Sequence, residues 1–129
     1  MSKKLYVAGC FARAEDINLY IRMLKHSGYE ITHDWTKVEI SEDYKEKRAT
    51  YAIFDVEGVR DADTLVIIIT EKDYPYMGTS TELGVALGLN KRVVIYDMCP
   101  DSRFMKEHLF IHHPNVKIVT TWRELLQQI

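Results

Sequence analysis

Three carboxylates stand where this chain could do chemistry: Asp55, Asp73 and Glu82. Tyrosines accompany them, Tyr6 far upstream and Tyr74 and Tyr76 between the last two. A carboxylate in a semi-apolar crevice serves as nucleophile or electrostatic partner in glycosidic chemistry, where an oxocarbenium-like centre develops. Glu82 has a second reading, because Thr79-Ser80-Thr81-Glu82 has the spacing of a capping box with Thr79 as N-cap and Glu82 as N3. The two roles are compatible. A helix amino terminus lowers a carboxylate's pKa, which suits a nucleophile that must be ionised at neutral pH. Asp55 reads equally as a solvated residue on a helix, and Asp73, Tyr74 and Tyr76 as turn residues around Pro75. Cys10 reads as a small buried filler rather than a reactive thiol. The five histidines show no spacing typical of zinc, and the adjacent His112 and His113 cannot easily share one ion, so no metal site is expected.

The elements that must position these groups centre on residues 61–97. Residues 64–70 form an uncharged run rich in β-branched side chains, which fits a strand buried on both faces, and residues 92–97 repeat the signal. Between them Leu83, Ala86 and Leu87 lie at helical spacing, which makes a βαβ unit. Its loop, residues 71–80, joins a strand's carboxyl end to a helix amino terminus, the edge where open α/β sheets bind ligands. Upstream, residues 4–9 read as a first strand. Residues 14–27 follow as a helix with Ile17, Ile21 and Leu24 inward and Gly28 as its stop. A second strand spans residues 29–35. A second helix spans 41–60, with Ser41 as N-cap and an apolar stripe of Ala49, Ala52, Ile53, Val56 and Val59. Downstream come a short helix at 103–110, a fifth strand at 116–120 and a last helix from about Trp122, where Thr121 and Glu124 have capping-box spacing. The alternation predicts a three-layer α/β domain, flavodoxin-like or Rossmann-like, with a five-stranded parallel sheet in the order 2-1-3-4-5. In that order the ends of strands 1 and 3 adjoin, so residues 9–13 and 70–82 share one crevice.

A length of 129 residues predicts a single domain over 1–129. A net charge of −2 gives no sign of a nucleic-acid or membrane surface. No apolar stretch approaches the roughly 20 residues that span a bilayer, and no signal-peptide core opens the chain. Two cysteines make no disulfide framework, so a cytoplasmic setting is expected. The turn after strand 1 reads Ala8-Gly9-Cys10-Phe11-Ala12-Arg13, which lacks Gly-x-Gly-x-x-Gly. A Walker loop, the carboxylates of a phosphoacceptor domain at the end of strand 1 and a Gly-x-Ser-x-Gly elbow are missing as well.

Three separated blocks resemble the nucleoside 2-deoxyribosyltransferases and their nucleotide N-glycosidase relatives. They are Leu5-Tyr6-Val7-Ala8-Gly9-Cys10-Phe11, Asp55-Val56-Glu57-Gly58-Val59-Arg60-Asp61-Ala62-Asp63 and Gly78-Thr79-Ser80-Thr81-Glu82-Leu83-Gly84, the last similar to the family's Gly-Thr-x-x-Glu-Leu-Gly. The resemblance implies that Glu82 attacks the anomeric carbon of a 2-deoxyribosyl group. It implies that Asp55 orients the sugar or the nucleophile, and that Tyr6 stands beside the nucleophile. Gly9, with Cys10 and Phe11, would line the sugar or base pocket. It further implies no metal or organic cofactor, a small-molecule nucleoside or nucleotide and a free nucleobase as partners, and a homodimer or larger homo-oligomer. The chain departs from the pattern at Cys10, where proline or serine is usual. Asp73, the loop carboxylate offered for base contact, stands a few residues further upstream of Glu82 than in the transferases. In the hydrolytic relatives, phosphate is held by hydroxyl and main-chain donors of these two loops. Gly78, Thr79, Ser80 and the amides of residues 10–13, with Arg13 for charge, would serve here. Three readings follow: deoxyribosyl transfer between bases, hydrolysis of a nucleoside 5′-monophosphate, and a non-catalytic nucleotide-binding module in which Glu82 only caps its helix.

Overall fold

A computed structural model describes residues 3–38 and 43–129; Ser41, the expected cap of the second helix, lies outside them. Among the described residues five strands, β1 (Lys4–Ala8), β2 (Glu30–Ile31), β3 (Thr64–Ile69), β4 (Arg92–Asp97) and β5 (Val116–Val119), alternate with five α-helices. These are α1 (Ala14–His26), α2 (Arg48–Asp61), α3 (Met77–Gly88), α4 (Arg103–Glu107) and α5 (Trp122–Gln128). The sheet is parallel throughout, in the order β2-β1-β3-β4-β5, as the alternation predicts. Tyr6 pairs with Leu65, and Ile69 with Asp97, so the carboxyl ends of β1, β3 and β4 form one edge.

The core follows from the patterning. Every residue of β3 is buried, because helices cover both of its faces. In α1 the inward residues are Ile17, Ile21 and Leu24, and Gly28 ends the segment at φ 97°, a conformation that side-chain-bearing residues avoid. Helices α1 and α5 meet through Tyr20 and Trp122, while α2 and α3 pack on each other. Thr121 caps α5, its Oγ1 accepting from Glu124 N at 3.1 Å. Among the described residues no helix is long and apolar enough to cross a membrane.

Three elements differ from the sequence pattern. The second strand keeps only two ladder residues; Trp35 then turns inward in a short 3₁₀ turn and donates from Nε1 to Val7 O at 2.7 Å. Helix α2 starts at Arg48, and only the end of its expected stripe packs into the core: Val59 is buried beside Gly58, whereas Ala49 and Ala52 are exposed and Ile53 is 55% exposed. The reason is a crevice along its inner side, where Tyr51, Ala52, Asp55 and Val56 form a wall instead of filling core. The helix expected over 103–110 breaks at His108, whose side chain accepts from Phe110 N and starts a second, 3₁₀ turn at Leu109–His112.

Candidate active site

The site is built on the edge where β1 and β3 end. Tyr6, the third residue of β1, is fully buried and reaches toward α2 and α3. Its hydroxyl donates to Glu82 Oε2. Glu82 faces that point because Thr79, Glu82, Leu83 and Ala86 occupy the buried side of α3 at i, i+3, i+4 and i+7. The capping-box reading does not hold. The helix begins at Met77 with Tyr76 as its N-cap residue, no side chain caps it, and Glu82 is its sixth residue, beyond the orphan N–H groups of the first turn. Thr79 instead donates from Oγ1 to Gly9 O at 3.4 Å, which ties α3 to the end of β1.

What fixes the start of α3 is Tyr76. It holds a left-handed backbone, φ 52°, that costs a non-glycine residue about 1 kcal/mol or more. Its hydroxyl accepts from Thr70 N at 3.0 Å and Glu71 N at 2.9 Å, where β3 ends, and its ring lies between Tyr74 and Phe104. These contacts hold the strained residue in place and lock α3 to the strand beside the site.

Burial controls the charge of Glu82. It pushes the carboxyl up to about 8; the Tyr6 hydrogen bond pulls down and the neighbouring Asp55 adds to the rise. The lowering expected from a helix terminus is therefore reversed, because the group sits in the interior rather than at the helix end. Burial, reinforced by the two carboxylates, holds the Tyr6 phenol far above its usual range, so it remains a donor. Asp55 is also raised by burial, while His33 and then the Tyr6 hydroxyl counter that rise.

Gly58 lets these groups converge. A Cβ there would stand 2.8 Å from Tyr6 Cδ2 and 2.9 Å from His33 Cβ. Alanine in mid-helix gains about 1 kcal/mol over glycine, but overpacking against a buried ring costs about 1–3 kcal/mol. Gly58→Ala is therefore expected to lower stability and to separate Asp55 from Tyr6. Denaturant unfolding checks this; an unchanged or raised midpoint contradicts the close packing.

Tyr6, Gly9, Phe11, Asp55, Gly78, Thr79 and Glu82 line one cavity of about 310 Å³. Four other expected site residues stand outside its walls. Cys10 is buried in the core, and Arg13 is exposed and paired with Glu71 at 2.8 Å. Asp73 points to solvent, and Ser80 is hydrogen-bonded to His108 Nε2 at 3.0 Å on the flank of α3. Of the aromatic walls the sequence reading named Phe11 and missed Trp35, Tyr44 and Tyr51. Phe11 stacks on Trp35 with centroids 6.0 Å apart, and Tyr44 on Tyr51 at 5.5 Å. Tyr51 was within reach of periodicity, four residues before Asp55 on the same helix face; Tyr44 lies in an irregular segment with no period to read. Among the described residues no group of three His, Cys, Asp or Glu is arranged to hold a metal ion.

The family model for nucleoside 2-deoxyribosyltransferase matches residues 5–116 of the chain. No curated protein matches it. Among solved structures, the chain is similar to a CMP N-glycosidase of Clostridium botulinum, with 18% sequence identity and a TM-score of 0.60. That match covers 98% of this chain and 97% of the other, a likeness of fold.

Proposed function

The chain belongs to the nucleoside 2-deoxyribosyltransferase family, and from that premise we propose that it cleaves the N-glycosidic bond of a 2′-deoxynucleoside and passes the deoxyribosyl group to another nucleobase. Glu82, once ionised, attacks the anomeric carbon. The N-glycosidic bond breaks with its electron pair on the departing base, which takes up a proton, and an ester forms on Glu82. A nitrogen of the second base then attacks the same carbon, gives up its proton to solvent and releases the carboxylate. Tyr6 steadies the attacking carboxyl through its O–H, and Asp55 orients the sugar. The aromatic walls give the base a surface to stack on.

The observation that carries this reading is the Tyr6–Glu82 pair, buried at the end of β1 and opening, with Asp55, on an aromatic cavity. It also speaks against a helix-cap role in a non-catalytic module, since no cap is made. A neutral nucleoside is favoured because, among the described residues, the cavity walls carry two carboxyls and neither lysine nor arginine. A second reading is hydrolysis of a nucleoside 5′-monophosphate. It is favoured by Gly78 and Thr79, which line the cavity in the first turn of α3, where backbone N–H groups without intrahelical partners suit a phosphate. Within this proposal the chain is one domain without a cofactor, acting in the cytoplasm as a homodimer or larger homo-oligomer. Ile53 and Phe54, exposed on α2, are apolar surface that such an assembly would cover.

The test is incubation with deoxyinosine, with and without adenine, beside deoxynucleoside monophosphates, resolved by chromatography. Deoxyadenosine formed in the presence of adenine is the expected result. Free hypoxanthine without acceptor dependence indicates hydrolysis, base release from the monophosphates alone supports the second reading, and no turnover of any of them overturns both.

A further inference from the structure

His33 takes no part in the reaction proposed above, yet its imidazole is turned onto Asp55. It follows β2, and its Nε2 is buried 3.4 Å from Asp55 Oδ1 without making a hydrogen bond. A polar atom buried with its bond unmade costs free energy, and its place beside a carboxylate of the cavity wall calls for a role there. The imidazole is held in this pose from both sides of Asp55 along α2. The ring rests on Phe54 at 5.6 Å, and its Cβ lies over Gly58. Thr32, the residue before it, donates from Oγ1 to Gly58 O at 2.6 Å and ties the loop to the helix. The contact with Asp55 is therefore specified by packing rather than left to a mobile surface side chain.

We propose that His33 is a positioning residue for Asp55: its Nε2–H closes the remaining gap when substrate fills the cavity, and it holds one carboxyl oxygen so that the other faces the ribosyl hydroxyls. The inference rests on the reading of Asp55 as the sugar-orienting group. The titratable groups facing Asp55 are Tyr6 from β1, Glu82 from α3 and His33 from the loop after β2. Of these, Glu82 opposes a charge on Asp55, while His33 and the Tyr6 hydroxyl favour it. Groups that orient a working side chain in this way are typically worth about 10–100-fold when removed, as with the partners of metal ligands.

The experiment compares His33→Leu, which fills the seat without an N–H, with His33→Gln, whose side-chain amide offers a donor near the Nε2 position. His33→Leu is expected to lower kcat/KM about tenfold or more, and His33→Gln to retain most of it. In the Asp55→Ala background His33→Leu is expected to add nothing, because each change alone already removes the interaction. A packing role gives the opposite order, Leu better than Gln, and additive losses; either result overturns the inference. A second readout needs no turnover. The carboxyl carbon of Asp55, followed by NMR, is expected to titrate at higher pH in His33→Leu than in the wild type, and an unmoved titration overturns the inference. If the wild-type protein turns over no nucleoside or nucleotide, the proposed reaction falls, and the NMR titration still decides whether His33 governs Asp55.

Discussion

Glu82→Gln is expected to abolish turnover and, at alkaline pH, to make the protein more stable. The amide has the size of the carboxylate, and its oxygen can still accept from Tyr6, so the fold has no reason to change. A nucleophile's loss costs several decades in rate, whereas loss of a hydrogen-bonding accessory costs far less. Retention of more than about a tenth of the activity, a barrier change near 1.4 kcal/mol, sinks the nucleophile assignment. The stability gain follows from burial. In the unfolded chain the carboxyl releases its proton near its ordinary value of 4.5, while in the folded protein it holds it up to about 8. Between those values the unfolded state binds fewer protons, so stability falls as pH rises and levels off above about 8. Glutamine does not titrate. The difference between variant and wild type should therefore widen from pH 5 to pH 9 by a few kcal/mol, in favour of the variant. The same shift governs rate: the free protein carries mostly neutral Glu82 at pH 7, so kcat/KM of the wild type should climb with pH toward about 8. Thermal unfolding across that range, paired with the rate profile, measures both. Parallel stability curves contradict a buried, raised carboxyl.

The sheet was legible because its signals are local and strong. The run from Thr64 to Ile69 has no charge and is flanked by helical spacing, and crossover handedness then leaves few orders for five strands. That order also brings Tyr6, Asp55 and Glu82 to one cavity, although they are 76 residues apart at the extremes. The exact start of α3 was not legible. A capping box and an inward-facing glutamate have the same spacing, and what separates them is Tyr76 in a left-handed conformation, held by backbone groups of the preceding strand's end. No propensity argument assigns that to a tyrosine. The environment of α2 was illegible for a related reason. Apolar residues at helical spacing predict a buried face, but they do not say whether it meets the core or the wall of a cavity. Ala52 and Val56 do the second. The charge of Glu82 was illegible for the same reason, since position in the helix points to a lowered carboxyl while burial, the larger influence, raises it.

A 2′-deoxy-2′-fluoro nucleoside is expected to label the protein once, on Glu82. Fluorine at C2′ withdraws electrons from the oxocarbenium-like centre, so it slows both formation and breakdown of a glycosyl ester. Breakdown requires water or a base to enter a cavity already filled by the sugar. The ester should therefore accumulate when the leaving base is a good one. Intact-protein mass spectrometry would then show one fluorosugar added per chain, and fragmentation would place it within residues 79–83. The geometry makes the outcome sharp. Glu82 is buried on the cavity wall, its Oε2 accepts from Tyr6, and it is not committed to capping its helix. Tyr6 cannot compete for the label, because its phenol stays protonated. Asp55 opens on the same cavity, and a label found there would exchange the two acidic roles. Addition of a free nucleobase should discharge the labelled protein faster than buffer alone if the ester is an intermediate of transfer, and no faster if water is the natural acceptor. An unlabelled protein that still turns over the natural substrate would mean direct attack by water or base, with Glu82 acting through its charge alone.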